Sequence, residues 1–128
     1  MLRPPKVLAF DDHEVPDSME RVVEVLGAEP IDWAFKTECC GAAFAMSRTS
    51  AVVRLVEKIL KNAKEEGADM VVTACPLCHA NLDMRQSTRR LGFRMPILYL
   101  SQLVGLALGV SPGALGIHKH ITSAKSVV

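Results

Sequence analysis

MVVTACPLC, residues 70–78, is the segment from which the fold of this 128-residue chain can be predicted. Its first four residues form a short apolar run, which is typical of a buried strand. Proline is favoured at the first position of a helix, so a helix is predicted to begin at Pro76, with Cys75 at its N-cap. A strand that leads directly into a helix indicates one half of a strand–helix–strand unit.

The sequence after this segment completes the unit. The helix is predicted to continue to about Arg90, and Ile97–Leu100 is predicted to be the next strand. Ser101 is the expected cap of a last helix that ends near Leu108. Residues 121–128 show no periodicity, so they are predicted to form a loose tail.

Two helices are predicted before residue 70. Apolar residues recur at helical spacing in the first of them, at Met19, Val22, Val23 and Leu26. The second is longer, is capped by Ser47 or Thr49, and ends near Glu66. Its apolar face consists of Val52, Val53, Val56, Leu60 and Ala63.

Short strands are also predicted at Lys6–Phe10 and Pro30–Trp33. Strands and helices then alternate along the chain, which favours one α/β domain over residues 1–128. The expected architecture is layered, with a mostly parallel sheet flanked by helices.

Composition and charge restrict the possible functions. The formal net charge is +1, from 15 basic and 14 acidic side chains, and no Lys/Arg run exceeds two residues. That balance gives no electrostatic reason to expect nucleic acid binding.

The most apolar stretch, Met95–Val110, is shorter than the roughly 20 residues of a membrane-spanning helix. No signal-peptide pattern is present at residues 1–5, so the cytoplasm is the expected compartment.

Four cysteines carry the predicted chemistry. Cys39 and Cys40 are adjacent, and Cys75 and Cys78 form a C-x-x-C pair that is separated from them by the 34 residues 41–74. Both pairs are expected in loops or at helix starts, which gather at one edge of an open α/β sheet. The two pairs are therefore predicted to converge on one site. Soft thiolate ligands select iron–sulfur clusters, zinc or Cu(I).

Several alternatives use the same cysteines. Four thiolates satisfy tetrahedral zinc, which would make this a structural or interaction domain. A C-x-x-C pair alone is also typical of a redox dithiol, and cysteines can be buried simply as small apolar residues. A metal-free fragment could keep its thiols or oxidise to a Cys75–Cys78 disulfide.

The chain resembles the cysteine-rich "CCG" domain, whose pattern is a lone cysteine, then C-C-G, then C-x-x-C. Further segments are similar to the C-terminal half of the B subunit of heterodisulfide reductase, and the resemblance runs over roughly residues 2–120. The segments that carry it are residues 3–5 (RPP), 32–33 (DW), 37–41 (TECCG), 74–78 (ACPLC), 81–86 (NLDMRQ) and 96–102 (PILYLSQ).

The resemblance implies a noncubane 4Fe–4S cluster bound by Cys39, Cys40, Cys75 and Cys78. In that family the clusters cleave a mixed disulfide of two small thiol cofactors in two one-electron steps. The resemblance also implies two partner subunits, one that bears flavin and one that is ferredoxin-like. A homodimer is a further possibility, because apolar surface is expected where another half would pack.

One feature departs from the family pattern. The family's lone first cysteine lies shortly before the Arg-Pro-Pro segment, whereas no cysteine precedes Cys39 in this sequence. The chain therefore looks like the C-terminal half of a longer subunit. With the four cysteines that remain, a four-thiolate cubane cluster or a zinc ion is chemically possible.

Histidines are weaker candidates for a role at the site. His79 follows Cys78 and could tune the potential of a cluster or protonate a leaving thiolate. The favoured alternative is an ordinary helix residue that faces solvent or bonds a carbonyl. His118 and His120 could line a pocket for an anionic substrate, but an exposed tail is the favoured interpretation.

Overall fold

A computed structural model describes residues 11–12, 14–86 and 88–128. The predicted α/β class is confirmed. Within the described residues the helices are α1 (Ser18–Val25), α2 (Thr49–Glu65), α3 (Pro76–Met84), α4 (Thr88–Leu91) and α5 (Leu100–Ala107), the strands are β1 (Val71–Thr73) and β2 (Ile97–Tyr99), and 3₁₀ turns lie at Ala42–Phe44 and Ile117–Lys119. None of these helices has both the length and the apolar character needed to cross a bilayer. The strand predicted at Lys6–Phe10 falls outside the described residues.

The strand–helix–strand unit predicted around residue 75 is present. Strands β1 and β2 are parallel, with Val71 opposite Ile97 and Thr73 opposite Tyr99, and α3 and α4 connect them. The described residues therefore form a two-stranded sheet. A larger layered sheet with the cysteine pairs at its edge remains a prediction.

The sheet contributes to two apolar clusters. Successive strand side chains point to opposite faces, so Ile97 enters one cluster and Leu98 the other. The larger cluster joins α2 and α3 to the sheet and consists of Cys40, Val52, Val56, Ile59, Leu60, Ala63, Val71, Leu82, Leu91, Met95 and Ile97. One cysteine of the predicted site thus belongs to the core.

The strand predicted at Pro30–Trp33 is wrong, because residues 30–33 form no strand. Consecutive turns follow instead. The N–H of Lys36 donates to the carbonyl of Trp33 at 3.3 Å, and the N–H of Glu38 donates to that of Phe35 at 3.0 Å. These local hydrogen bonds turn the backbone away from an extended path.

The long helix predicted from Pro76 to Arg90 is interrupted, since α3 ends at Met84 and α4 begins at Thr88. Gln86, between them, bonds both backbone groups of Met95. Its Nε2 donates to the Met95 carbonyl at 2.6 Å, and its Oε1 accepts from the Met95 N–H at 2.8 Å. A tertiary contact therefore breaks a helix that local propensity would continue.

The N-caps predicted for α2 and α5 are also wrong. Arg48 is the N-cap of α2 and makes no side-chain cap hydrogen bond, while the Thr49 hydroxyl donates to the Ala45 carbonyl at 2.9 Å. Helix α5 begins at Leu100, after Tyr99, which is two residues earlier than a Ser101 cap would place its start. Gln102 supports this start, because its Oε1 accepts from the Tyr99 N–H at 3.0 Å.

The C-terminal residues are not a loose tail. The buried carboxylate of Asp83 accepts the N–H of Ile121 at 2.8 Å and the N–H of Thr122 at 2.7 Å. Thr122 is only 1% exposed and Ala124 only 2%. Contacts with α3 and the second cluster hold this segment, and a periodicity argument does not detect such contacts.

Candidate metal centre

The C-x-x-C pair lies at the start of α3, directly after β1. Cys75 is the N-cap, with φ −90° and ψ 121°, and Pro76 follows inside the first turn, as predicted. The Cys75 N–H donates to the hydroxyl of Thr73 at 3.2 Å, so the end of β1 fixes the start of the helix. Cys78 follows one turn later on α3.

The C-C-G segment forms a tight turn beside α2. Gly41 has φ +74° and precedes the 3₁₀ turn, and its N–H donates to the Cys39 sulfur at 3.4 Å. A Cβ at Gly41 would lie 2.8 Å from Cδ1 of Leu55. Positive φ and close packing together explain why glycine follows the two cysteines.

The structure brings one cysteine of each pair together. The sulfur of Cys40 lies 3.3 Å from that of Cys78, although the residues are 38 positions apart. Cys40 is buried, Cys75 and Cys78 are half-buried, and Cys39 is exposed. Within the described part of the chain, no three His, Cys, Asp or Glu side chains are arranged to hold a metal ion. The four-cysteine ligand set thus remains a prediction, although its soft sulfur donors fit an iron–sulfur group chemically.

The two cysteines of α3 have opposite surroundings. The Cys75 side chain makes no cap hydrogen bond to the helix. The backbone N–H of Cys78 nevertheless favours a negative charge on the Cys75 sulfur, and this lowers the pKa of the Cys75 thiol. Burial, followed by the neighbouring Cys40, raises the pKa of the Cys78 thiol to about 12. In the metal-free protein, Cys75 is therefore the more readily ionised of the two.

His79 is buried rather than solvent-facing, at 6% exposure. Its Nε2 lies 3.1 Å from the Ile97 carbonyl, so the carbonyl-bonding alternative is confirmed and Nε2 carries a proton. The ring stacks on Tyr99, with centroids 4.0 Å apart, and meets His120 edge-on at 4.6 Å. Burial lowers the pKa of His79.

His118 is exposed, as expected, but His120 is half-buried, so the exposed-tail interpretation is wrong for it. The Nε2 amide of Gln102 lies 3.0 Å from both His120 Nε2 and the Leu115 carbonyl. An amide nitrogen only donates, so His120 Nε2 accepts and the neutral ring carries its proton on Nδ1. That buried Nδ1 has no hydrogen-bond partner among the described residues.

A known family matches this chain. The pattern of the CCG cysteine-rich domain covers residues 5–83, which include all four cysteines. The chain belongs to the CCG cysteine-rich domain family. The predicted resemblance to the B subunit of heterodisulfide reductase is also confirmed, as the following relatives show.

CCG-domain relatives in three organisms are similar over almost the whole chain. The 8-methylmenaquinol:fumarate reductase membrane anchor subunit of Wolinella succinogenes is 36% identical over 127 residues, which are 96% of this chain and 45% of that protein. The CoB-CoM heterodisulfide reductase B subunits of Methanosarcina acetivorans and Methanosarcina mazei are 34% and 35% identical, each over 94% of this chain and 42% of the relative. The chain spans less than half the length of these relatives.

Sequence reasoning missed the buried polar residues around the site. Asp83 received no role, and Asn81 was included only within a similar segment, yet both are buried on α3, at 4% and 5% exposure. Gln102, which fixes the His120 tautomer, was likewise missed. For Asn81 a signal was available: it follows Cys78 by three residues, so both lie on one face of the helix.

Proposed function

We propose that this chain is the iron–sulfur redox domain of a heterodisulfide-reductase-like oxidoreductase. The 3.3 Å separation of the Cys40 and Cys78 sulfurs carries the proposal, because it joins the C-C-G and C-x-x-C segments of the CCG family at one point. Thiolates at such a point suit iron–sulfur clusters. The reductase names of the relatives support the redox role.

We infer that Cys39, Cys40, Cys75 and Cys78 are the ligands. The buried Cys40 forms the inner side of the centre, the half-buried Cys75 and Cys78 lie at the start of α3, and the exposed Cys39 forms its outer side. A bound metal holds its cysteines as thiolates, which offsets the cost of ionising a half-buried thiol such as Cys78. When bound, the cluster, of the noncubane 4Fe–4S type by resemblance, supplies one-electron chemistry.

His79 acts from behind this centre. Its Nε2–H is engaged by the Ile97 carbonyl and its ring is fixed by Tyr99, so it holds the first turn of α3 against the sheet. A lowered pKa keeps the ring neutral at physiological pH. We therefore propose that His79 supports the position of Cys78 and takes no direct part in the chemistry.

The proposed reaction is reduction of a disulfide of two small thiols. Two electrons and two protons convert the disulfide into two thiols, and the electrons come from partner subunits. By resemblance one of these partners bears flavin and the other is ferredoxin-like, and a second copy of this chain is an alternative partner. A reducing compartment such as the cytoplasm keeps the cysteines available as ligands.

Metal analysis tests the proposal. Protein purified without oxygen is assayed for iron, acid-labile sulfide and zinc per chain. We expect iron with matching sulfide in the wild type and loss of both in Cys75→Ser. His79→Ala is the matched control, since it alters the adjacent turn without removing a sulfur, and it is expected to retain iron.

Three other outcomes of the metal analysis would contradict the redox proposal or its ligand set. One zinc per chain without iron would contradict the redox proposal and favour a structural zinc domain on the same cysteines. A Cys75→Ser variant with full iron content would show that the ligand set is wrong. Absence of any metal would contradict independent cluster binding, and the assay would then be repeated on a chain extended by an upstream segment that carries the family's lone cysteine.

A further inference from the structure

A second contact joins the two cysteine segments, through Asn81 of α3. Its Nδ2 donates to the backbone carbonyl of Cys40 at 2.8 Å. Asn81 lies one helical turn after Cys78, whose sulfur meets the Cys40 sulfur. The same face of α3 therefore contacts Cys40 twice, once at its sulfur and once at its backbone.

The Asn81 amide is oriented for this one contact. The side chain is 5% exposed, and its Oδ1 is buried without a hydrogen-bond partner among the described residues. An unpartnered buried oxygen lowers the stability of the fold. An apolar residue of similar size would avoid that cost, so stability alone does not explain an asparagine at this position.

The backbone around Cys40 has few other restraints from α3 among the residues that the structure describes. Arg85, one turn beyond Asn81, donates to the Ala45 carbonyl at a longer 3.4 Å, on the far side of the 3₁₀ turn. Gly41 is restrained by α2 through its close approach to Leu55. The hydrogen bond from Asn81 is thus the short contact between α3 and the backbone of Cys40.

We propose that Asn81 is a positioning residue that sets the distance between the sulfurs of Cys40 and Cys78. Its effect on bound metal rests on the proposed function, whereas its effect on the thiol pair does not. Without the Nδ2 donor, the Cys40 carbonyl turns towards water and the Cys40 sulfur moves away from Cys78.

The metal-free protein tests this through disulfide formation in a glutathione redox buffer. Two cysteine thiols reduce one glutathione disulfide, a protein S–S bond forms, and two glutathione thiols are released. Cys78 can pair either with Cys40 or with Cys75 in the C-x-x-C pair. Peptide mapping by mass spectrometry gives the ratio of the two products, and the Cys75–Cys78 product is an internal reference.

Asn81→Leu and Asn81→Ala both remove the donor but differ in volume, so either one suffices if the other fails to fold. We expect the ratio of Cys40–Cys78 to Cys75–Cys78 disulfide to fall roughly two- to tenfold in both, the range for loss of one hydrogen bond. Arg85→Gln is the matched control and should keep the wild-type ratio. Ratios unchanged in the Asn81 variants, or lowered equally in the control, would overturn the proposal.

The iron-loaded protein provides a second measurement. Asn81→Leu is expected to retain iron but to shift the midpoint potential or the electron paramagnetic resonance spectrum, because one ligand is displaced. An unchanged potential and spectrum at full iron content would overturn the role of Asn81 in the loaded protein. If no chain binds iron, the proposed function fails, while the disulfide ratio still decides the positioning role.

Discussion

Cys75 and Cys78 are separated by one helical turn, but their thiols are stabilised in different forms. At the helix start, the N–H of Cys78 favours the thiolate of Cys75. At Cys78, burial favours the neutral thiol, and an adjacent thiolate at Cys40 would repel a second negative charge. The two residues should therefore differ in reactivity before any metal binds.

Alkylation of the reduced, metal-free protein measures that difference. At about pH 8, near the ordinary cysteine pKa, we expect iodoacetamide to modify Cys75 at least about ten times faster than Cys78. The thiolate is the reactive form, so the advantage of Cys75 should shrink as the pH rises towards the high pKa of Cys78. In urea both rates should become equal, and a faster Cys78 in the folded protein would contradict this electrostatic account.

Gly41 is the other residue on which the cysteine turn depends. Gly41→Ala introduces a side chain at φ +74° and places a Cβ 2.8 Å from Leu55. We expect destabilisation of about 2 kcal/mol, from the backbone conformation and the contact together. Urea unfolding measures it, with Gly27→Ala as the control, because Gly27 has φ +86° but no atoms within 4 Å of such a Cβ. Equal losses in the two variants would show that the Leu55 contact is unimportant.

At the level of elements, α3 organises the region around the cysteines. Its first turn carries Cys75 and Cys78, its middle holds the Cys40 carbonyl through Asn81, and its last turn anchors the C-terminal segment through Asp83. The Asp83 carboxylate is 4% exposed and accepts two backbone N–H groups. The same contact brings residue 120 against His79, behind the site.

Asp83→Asn tests this anchor. The amide can accept only one of the two N–H groups and presents its own N–H to the other, so we expect a loss of about 2 kcal/mol in unfolding free energy. Hydrogen exchange at Ile121 and Thr122 should accelerate at the same time. The control is Asp69→Asn, an exposed carboxylate, which should change stability by less than about 0.5 kcal/mol. Unchanged exchange in Asp83→Asn would mean that the C-terminal segment is held by its apolar contacts alone.

At the level of the whole molecule, the proposed centre links two distant segments to the core. Cys40 belongs to the larger apolar cluster, and Cys78 packs against it. A metal that binds both sulfurs would cross-link the C-C-G turn to α3. Since the unfolded chain does not present this arrangement, binding should stabilise the fold.

Thermal unfolding without oxygen tests that coupling. We expect the iron-loaded protein to unfold at a midpoint roughly 5 °C or more above that of the metal-free protein. Cys75→Ser, treated identically, should show no such increase because it lacks a ligand. Equal midpoints for the loaded and metal-free wild type would place the metal outside the cysteine site.

Short stretches of sequence were sufficient to predict the local structure around the site. An apolar strand followed by Cys75 and Pro76 specifies a helix start, and the apolar stripe of α2 specifies the face that it buries. These signals lie within a few residues of the structure they predict, so local propensity is enough. The cysteine spacing likewise identified the family without reference to any contact.

How these elements meet could be learned only from the folded chain. The Cys40–Cys78 and Asn81–Cys40 contacts join residues about 40 positions apart, and so does the anchor of Asp83 on Thr122. Gln86 ends a helix by bonding Met95, against the local pattern. These bonds depend on which surfaces pack together, and for the contacts about 40 positions apart no short window of sequence contains both partners. They form because buried polar groups must find partners wherever the fold places them.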